Sequence, residues 1–169
     1  TRQDLAFRRE VKYLLPNADV GTFRRLLESN GRRLVHNKHV SAVRSIYFDD
    51  VSLSDCQANL DGIRQRRKVR VRWYDSLTPS DLLFFEIKWR DNRVTGKHRL
   101  ELRSRQDVSD LTYRQIVDEL VDALPPQHVG DLLKRSEPIV IVEYKREHFA
   151  SPDGTLRMTL DYDLAFYDQ

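Results

Sequence analysis

The residues with most chemistry in them lie in one run, GIRQRRKVRVRWY at 62–74, where Arg64, Arg66, Lys68, Arg70 and Arg72 take every second position. Side chains alternate across a strand, so these five leave one face while Ile63, Val69, Val71 and Trp73 leave the other. A row of guanidinium and ammonium groups binds anions, and the planar Arg fork suits phosphate oxygens. Taken alone, such a strand also reads as a charged sheet face turned to water.

Four more segments repeat the pattern. FFEIKWR (84–90) sets Glu86, Lys88 and Arg90 against Phe85, Ile87 and Trp89. KHRLELR (97–103) sets Lys97, Arg99, Glu101 and Arg103 against His98, Leu100 and Leu102. LRMTLDYDL (156–164) sets Arg157, Thr159, Asp161 and Asp163 against an apolar set, and the first segment does so with Arg8, Glu10 and Lys12. If the sheet curls, the charged faces share a lumen and the apolar faces take helices. Two cations about 5 Å apart repel by roughly 3 kcal/mol at an effective dielectric near 20, so a confined set needs anions. A multiply charged ligand such as a phosphate chain supplies them. Glu10 and Glu86 have two readings, as hard oxygen ligands for Mg²⁺ or Mn²⁺ or as ion-pair partners of their basic neighbours. Arg66 and Lys68 belong either in the lumen or at its mouth.

The elements that must position these residues follow from periodicity. Strands are predicted at about 4–15, 43–49, 63–74, 82–90, 97–103, 139–148 and 156–166. Asn17 or Asp19 caps a first helix ending at Gly31, and Ser52 caps a short one through Leu60. Tyr113, Ile116, Val117, Leu120, Val121 and Leu124 form an amphipathic stripe stopped by Pro125–Pro126, with a further helical turn around Val129–Leu133. Seven strands with helices beside them predict an α+β fold on an antiparallel sheet.

The 169 residues suit one domain, with 40% hydrophobic and 33% charged residues and a net charge of only +3. That balance excludes a disordered tail and implies no partner by itself; placement must supply any charge effect. There is no GxxxxGK[ST] phosphate loop and no membrane-spanning apolar run. The single cysteine, Cys56, rules out an internal disulfide or CxxC zinc site, and its spacing with Leu53 and Leu60 predicts a core position. The five histidines show no metal-ligand spacing.

RREVKYL (8–14), SIYFDD (45–50), GIRQRRKVRVRWY (62–74), FFEIKWR (84–90), YKREHF (144–149) and LRMTLDYDL (156–164) occur in the order of the VTC domain. The chain resembles that family over nearly its whole length, and through it the CYTH / triphosphate tunnel metalloenzyme superfamily. The resemblance implies an eight-stranded antiparallel β-tunnel with helices packed outside, of which seven strands are counted. It also implies transfer of the ATP γ-phosphate to a growing polyphosphate chain, with Mn²⁺ or Mg²⁺. Carried over by motif, the phosphate-binding residues are Lys12, Arg70, Arg72, Lys88, Lys97, Arg99, Arg146 and Arg157, with Arg70, Arg72 and Lys88 stabilising charge in catalysis. Arg8 stands where phosphatases and cyclases of the superfamily carry a first Glu, which favours the VTC branch. The family's main metal-binding Glu follows the TLD strand, so it is expected beyond Gln169 in a domain cut short at its C-terminus. Glu10 and Glu86 are then secondary metal candidates.

The alternatives are a non-catalytic triphosphate- or polyphosphate-binding module and a tunnel triphosphatase. A nucleic-acid-binding sheet is disfavoured because Trp73, Phe85 and Trp89 lie away from the cations, where they cannot stack bases beside them. The expected partners are ATP, triphosphate or polyphosphate, and the expected location is the cytoplasm.

Overall fold

The computed structural model describes residues 10–16, 19–36, 38–76, 82–92, 94–103 and 112–168. In chain order these form α1 (Val20–Asn30), β1 (Arg32–Leu34), β2 (Ser41–Asp49), α2 (Ser54–Leu60), β3 (Gln65–Tyr74) and β4 (Leu82–Asp91). Then come β5 (Val94–Arg103), α3 (Tyr113–Ala123), α4 (Pro126–Leu133), β6 (Glu137–Ala150) and β7 (Arg157–Asp168).

All strand pairs are antiparallel, in one α+β sheet curled into a half-barrel. The long β6 gives one edge to β7. Its other edge is shared by β2, over 137–146, and β1, over 148–150. From β2 the order runs through β3 and β4 to β5. Among the described residues β1, β5 and β7 each pair with a single strand, and no strand joins β5 to β7.

The apolar face builds the core. Val69, Val71 and Trp73 of β3 pack beside Leu83, Phe85 and Ile87 of β4, with Ile46 and Phe48 of β2 and Leu102 of β5 alongside. Ile116, Val117, Leu120 and Leu124 from α3 and its C-cap, with Leu132 of α4, cover this layer, as the stripe predicts. The capping box of Thr112 and Gln115 starts α3, and the predicted stop at Pro125–Pro126 also starts α4, with Pro126 at its first position. Asp19 caps α1, its carboxylate accepting the Thr22 N–H at 2.7 Å.

Four expectations are corrected. No strand forms over residues 10–15, where Val11, Tyr13 and Leu14 are exposed; residues 4–9 of that predicted strand lie outside the described residues. Alternation supplies a side-chain pattern, but a strand also needs a partner edge. In its place stands β1, three residues with too short a pattern to be read. Cys56 is exposed rather than core, with Leu60 in water beside it. No apolar stripe holds α2. Instead Asp49 accepts the backbone N–H groups of Asp55 and Cys56 at 3.0 and 2.8 Å, and Arg135 pairs with Asp55. The Asp residues ending SIYFDD thus cap this helix, not Ser52. Asp163 also leaves the predicted charged face. It has φ 53° beside a register shift at Glu143/Lys145, and pairs with Lys145 on the opposite side of the sheet.

Candidate functional site

Residues directly opposite one another in an antiparallel pair share a face, so the register shows what the charged face brings together. One row runs Tyr47–Arg70–Glu86–Arg99 and the next Ser45–Arg72–Phe84–Glu101. On the other side of these, toward the β4–β5 hairpin, lie Lys68–Lys88–Lys97 and then Arg66–Arg90–Thr95. Across β2 the same face continues through Val142 and Tyr144 to Arg146, which opposes Ser41 on one side and Asp161 on the other. Arg157, opposite Ala150, ends it.

Glu86 is the centre. It is 1% exposed, and its carboxylate lies 2.6 Å from Arg70 Nη2, 2.6 Å from Lys97 Nζ, 3.6 Å from Arg99 and 4.0 Å from Arg72. Burial alone would raise its pKa, but Arg70, Lys97 and Arg72 overcome that and hold it at about 2. Lys97 itself lies below its ordinary value. Burial is the first cause, and the charges of Arg70 and Arg99 add to it against the Glu86 bond. Its ammonium nonetheless donates to the Glu86 carboxylate at 2.6 Å.

The two central arginines are held by neutral groups as well. Arg70 donates to the Tyr47 hydroxyl at 2.7 Å. Arg72 donates to Ser45 Oγ and to the Tyr144 hydroxyl, each at 3.1 Å. Tyr144 sits two strands away, so its contact with Arg72 bridges β2 across this face. Arg146 makes a bidentate pair with Asp161 at 2.7 and 2.6 Å and stacks over Tyr144. The alternation of SIYFDD carries the signal for Ser45 and Tyr47, and YKREHF that for Tyr144, but only the register shows which arginines they serve.

Of the eight sequence-predicted phosphate residues, the structure gathers Arg70, Arg72, Lys97 and Arg99 around Glu86, with Lys88 in the adjoining row. Arg146 and Arg157 stand farther along the same face. Lys12 is 78% exposed in the unpaired N-terminal segment; Glu10, beside it, lies 3.6 Å from Lys88.

The two metal candidates do not meet as a ligand set. Glu86 is engaged by cations, and Glu10 faces Lys12 and Lys88, each at 3.6 Å. Among the described residues no group of three or more His, Cys, Asp or Glu side chains is placed to hold a metal ion. Either carboxylate would have to give up a cation before it could hold Mn²⁺ or Mg²⁺.

Fold and face together define a curled antiparallel half-barrel with helices on its apolar side and a cationic opposite side. The chain belongs to the VTC domain family, whose model matches residues 7–169. None of the curated proteins compared with it matches. The family is associated with polyphosphate synthesis, so a polyphosphate-related function is suggested for the chain. No helix among the described residues is long and apolar enough to cross a membrane.

Proposed function

We propose that this domain is the core of a polyphosphate polymerase, a phosphotransferase that passes the ATP γ-phosphate to a growing polyphosphate chain held along the basic face. The observation that carries this reading is the convergence of Arg70, Arg72, Lys97 and Arg99 on the single buried carboxylate of Glu86. One carboxylate leaves most of that positive charge unanswered, and a phosphate chain answers it with several oxygens at once. A tunnel of the triphosphate tunnel type would enclose this face.

In the reaction a terminal oxygen of the acceptor chain attacks the γ-phosphorus, and the bond from that phosphorus to the β-bridging oxygen breaks, releasing ADP. The nucleophile is already ionised, so no protein base is required. Arg70, Arg72 and Lys88 act by position and charge: they align the two anionic chains and offset charge on the transferring group. Tyr47, Ser45 and Tyr144 hold the arginine forks in place for that task.

The test is ATP-dependent polymer synthesis by Arg70→Ala and Arg72→Ala, with folding checked by circular dichroism. Both variants are expected to stay folded and lose synthesis; unimpaired synthesis in both overturns the reading. A second reading is a polyanion-binding module without catalysis. The engagement of Glu86 by cations favours it, because the face then offers binding groups without a metal-ligand carboxylate. Product analysis separates the cases: polymer growth marks the polymerase, phosphate release from triphosphate a tunnel triphosphatase, and tight binding without turnover the module.

A further inference from the structure

The charged face is not uniform along its strands. At Glu86 the cations are partly answered, and Arg72 among them is buried. Toward the β4–β5 hairpin, Lys68 opposes Lys88, which opposes Lys97, and Arg66 opposes Arg90. Like charges directly opposite on one sheet face destabilise it. Among the described residues Lys97 is answered by Glu86, and Lys88 only by the exposed Glu10. No carboxylate among the described residues lies within ion-pair distance of Arg66, Lys68 or Arg90. Arg66 donates one N–H to the Ile63 carbonyl and Arg90 one to the Asn92 carbonyl, which leaves the rest of each fork free of protein partners among the described residues. Lys68 and Arg90 are exposed and Arg66 is half-buried, so the set is open to a ligand.

We propose that Arg66, Lys68 and Arg90 form a second anion subsite, which takes phosphate units of a chain extending past those held at Arg70 and Arg99. Four residues of β3 separate Arg70 from Arg66, about 14 Å of strand. A phosphate group seated on Arg70 does not reach Arg66, whereas later units of the same chain do, passing Lys68 about 7 Å along β3. The ligand class is a linear polyphosphate rather than a nucleic acid, because the aromatic side chain that β4 carries at this end among the described residues, Trp89, opposes Gly96 on the other face. This inference rests on the polyphosphate reading above and names where the longer chain lies.

The experiment compares tripolyphosphate with long-chain polyphosphate by isothermal titration calorimetry, on the wild type and on a triple variant, Arg66→Gln with Lys68→Gln and Arg90→Gln. Three solvent-accessible cations together are worth about tenfold in affinity. The expected result is a loss of about that size for long chains, a shallower salt dependence, and unchanged tripolyphosphate binding. Equal losses for both ligands, or no loss for long chains, overturns the subsite. Wild-type protein that binds both ligands with the same affinity per site also overturns it while leaving the polyphosphate reading intact; wild-type protein that binds neither ends both. A single-stranded oligonucleotide that loses affinity in the variant as much as polyphosphate does would overturn the ligand class.

Discussion

Replacing Glu86 with Gln removes the carboxylate that holds the basic face together while keeping its shape. Its pKa stands at about 2 against an ordinary 4.5, and a shift of that size corresponds to roughly 3 kcal/mol of folding stability. The amide still accepts a hydrogen bond from Arg70 or Lys97, but it cannot offset their charge. In a chain of this length the loss lowers the melting temperature by roughly 6–12 °C. Tripolyphosphate supplies the missing negative charge, so it should restore more stability to the variant than it adds to the wild type. Thermal unfolding followed by circular dichroism at low salt, with and without tripolyphosphate, reads both effects. The same coupling sets a pH window for the wild type. Because the folded-state pKa is depressed, the contribution of Glu86 is fully present above about pH 4.5 and fades as the pH falls toward about 2. A Glu86→Gln protein as stable as the wild type without added anion, or one indifferent to tripolyphosphate, would refute the picture of Glu86 as the internal counterion.

Two further substitutions test the scaffold. Glu147→Gln breaks a fully buried carboxylate that accepts from Arg24, Arg33 and Tyr162, and should cost roughly 3–5 kcal/mol in urea unfolding; because it lies on the opposite face from Arg70, tripolyphosphate affinity of the folded fraction should not change. Gly96→Ala places a Cβ 2.2 Å from the Trp89 ring, a clash worth about 1–3 kcal/mol, visible in urea unfolding together with a change in tryptophan fluorescence.

The sheet was legible where strands are long and regularly paired. In β3, β4 and β5 the switch between charged and apolar residues at every position identifies the faces, and the observed register Val69↔Ile87 and Arg70↔Glu86 keeps each face intact. Side-chain pattern is local information, however, and pairing is not. Residues 10–15 alternate as well as β5 does, yet have no partner edge, while β1 pairs with β6 through only three residues. Glu147 shows a related limit. Period two places it on the face away from Arg146, which reads as exposure to water. Only α1, which brings Arg24, and the neighbouring strand β1, which brings Arg33, turn it into a buried charge. For Glu86 the sequence left metal binding and ion pairing open, because spacing along one strand does not reveal which cations stand across from it. Arg70 and Arg99, its neighbours on either side, decide for ion pairing in the described structure.

That pairing bears on which anions the face would accept on the proposed reading. A ligand reaching Arg70 and Lys97 competes with a carboxylate already in place, so it must replace contacts worth about 3 kcal/mol before it gains anything. A monovalent anion meets one or two of the cations and does not recover that cost. A phosphate chain meets Arg70, Arg72, Lys97 and Arg99 together, and once its first unit is seated the next binds as a tethered neighbour rather than from bulk solution. Glu86 therefore does more than keep like charges apart in the empty protein. It sets a threshold that favours ligands with several linked negative charges over the simple anions that surround them, and Glu86→Gln should lower that threshold, letting orthophosphate compete with tripolyphosphate where the wild type excludes it.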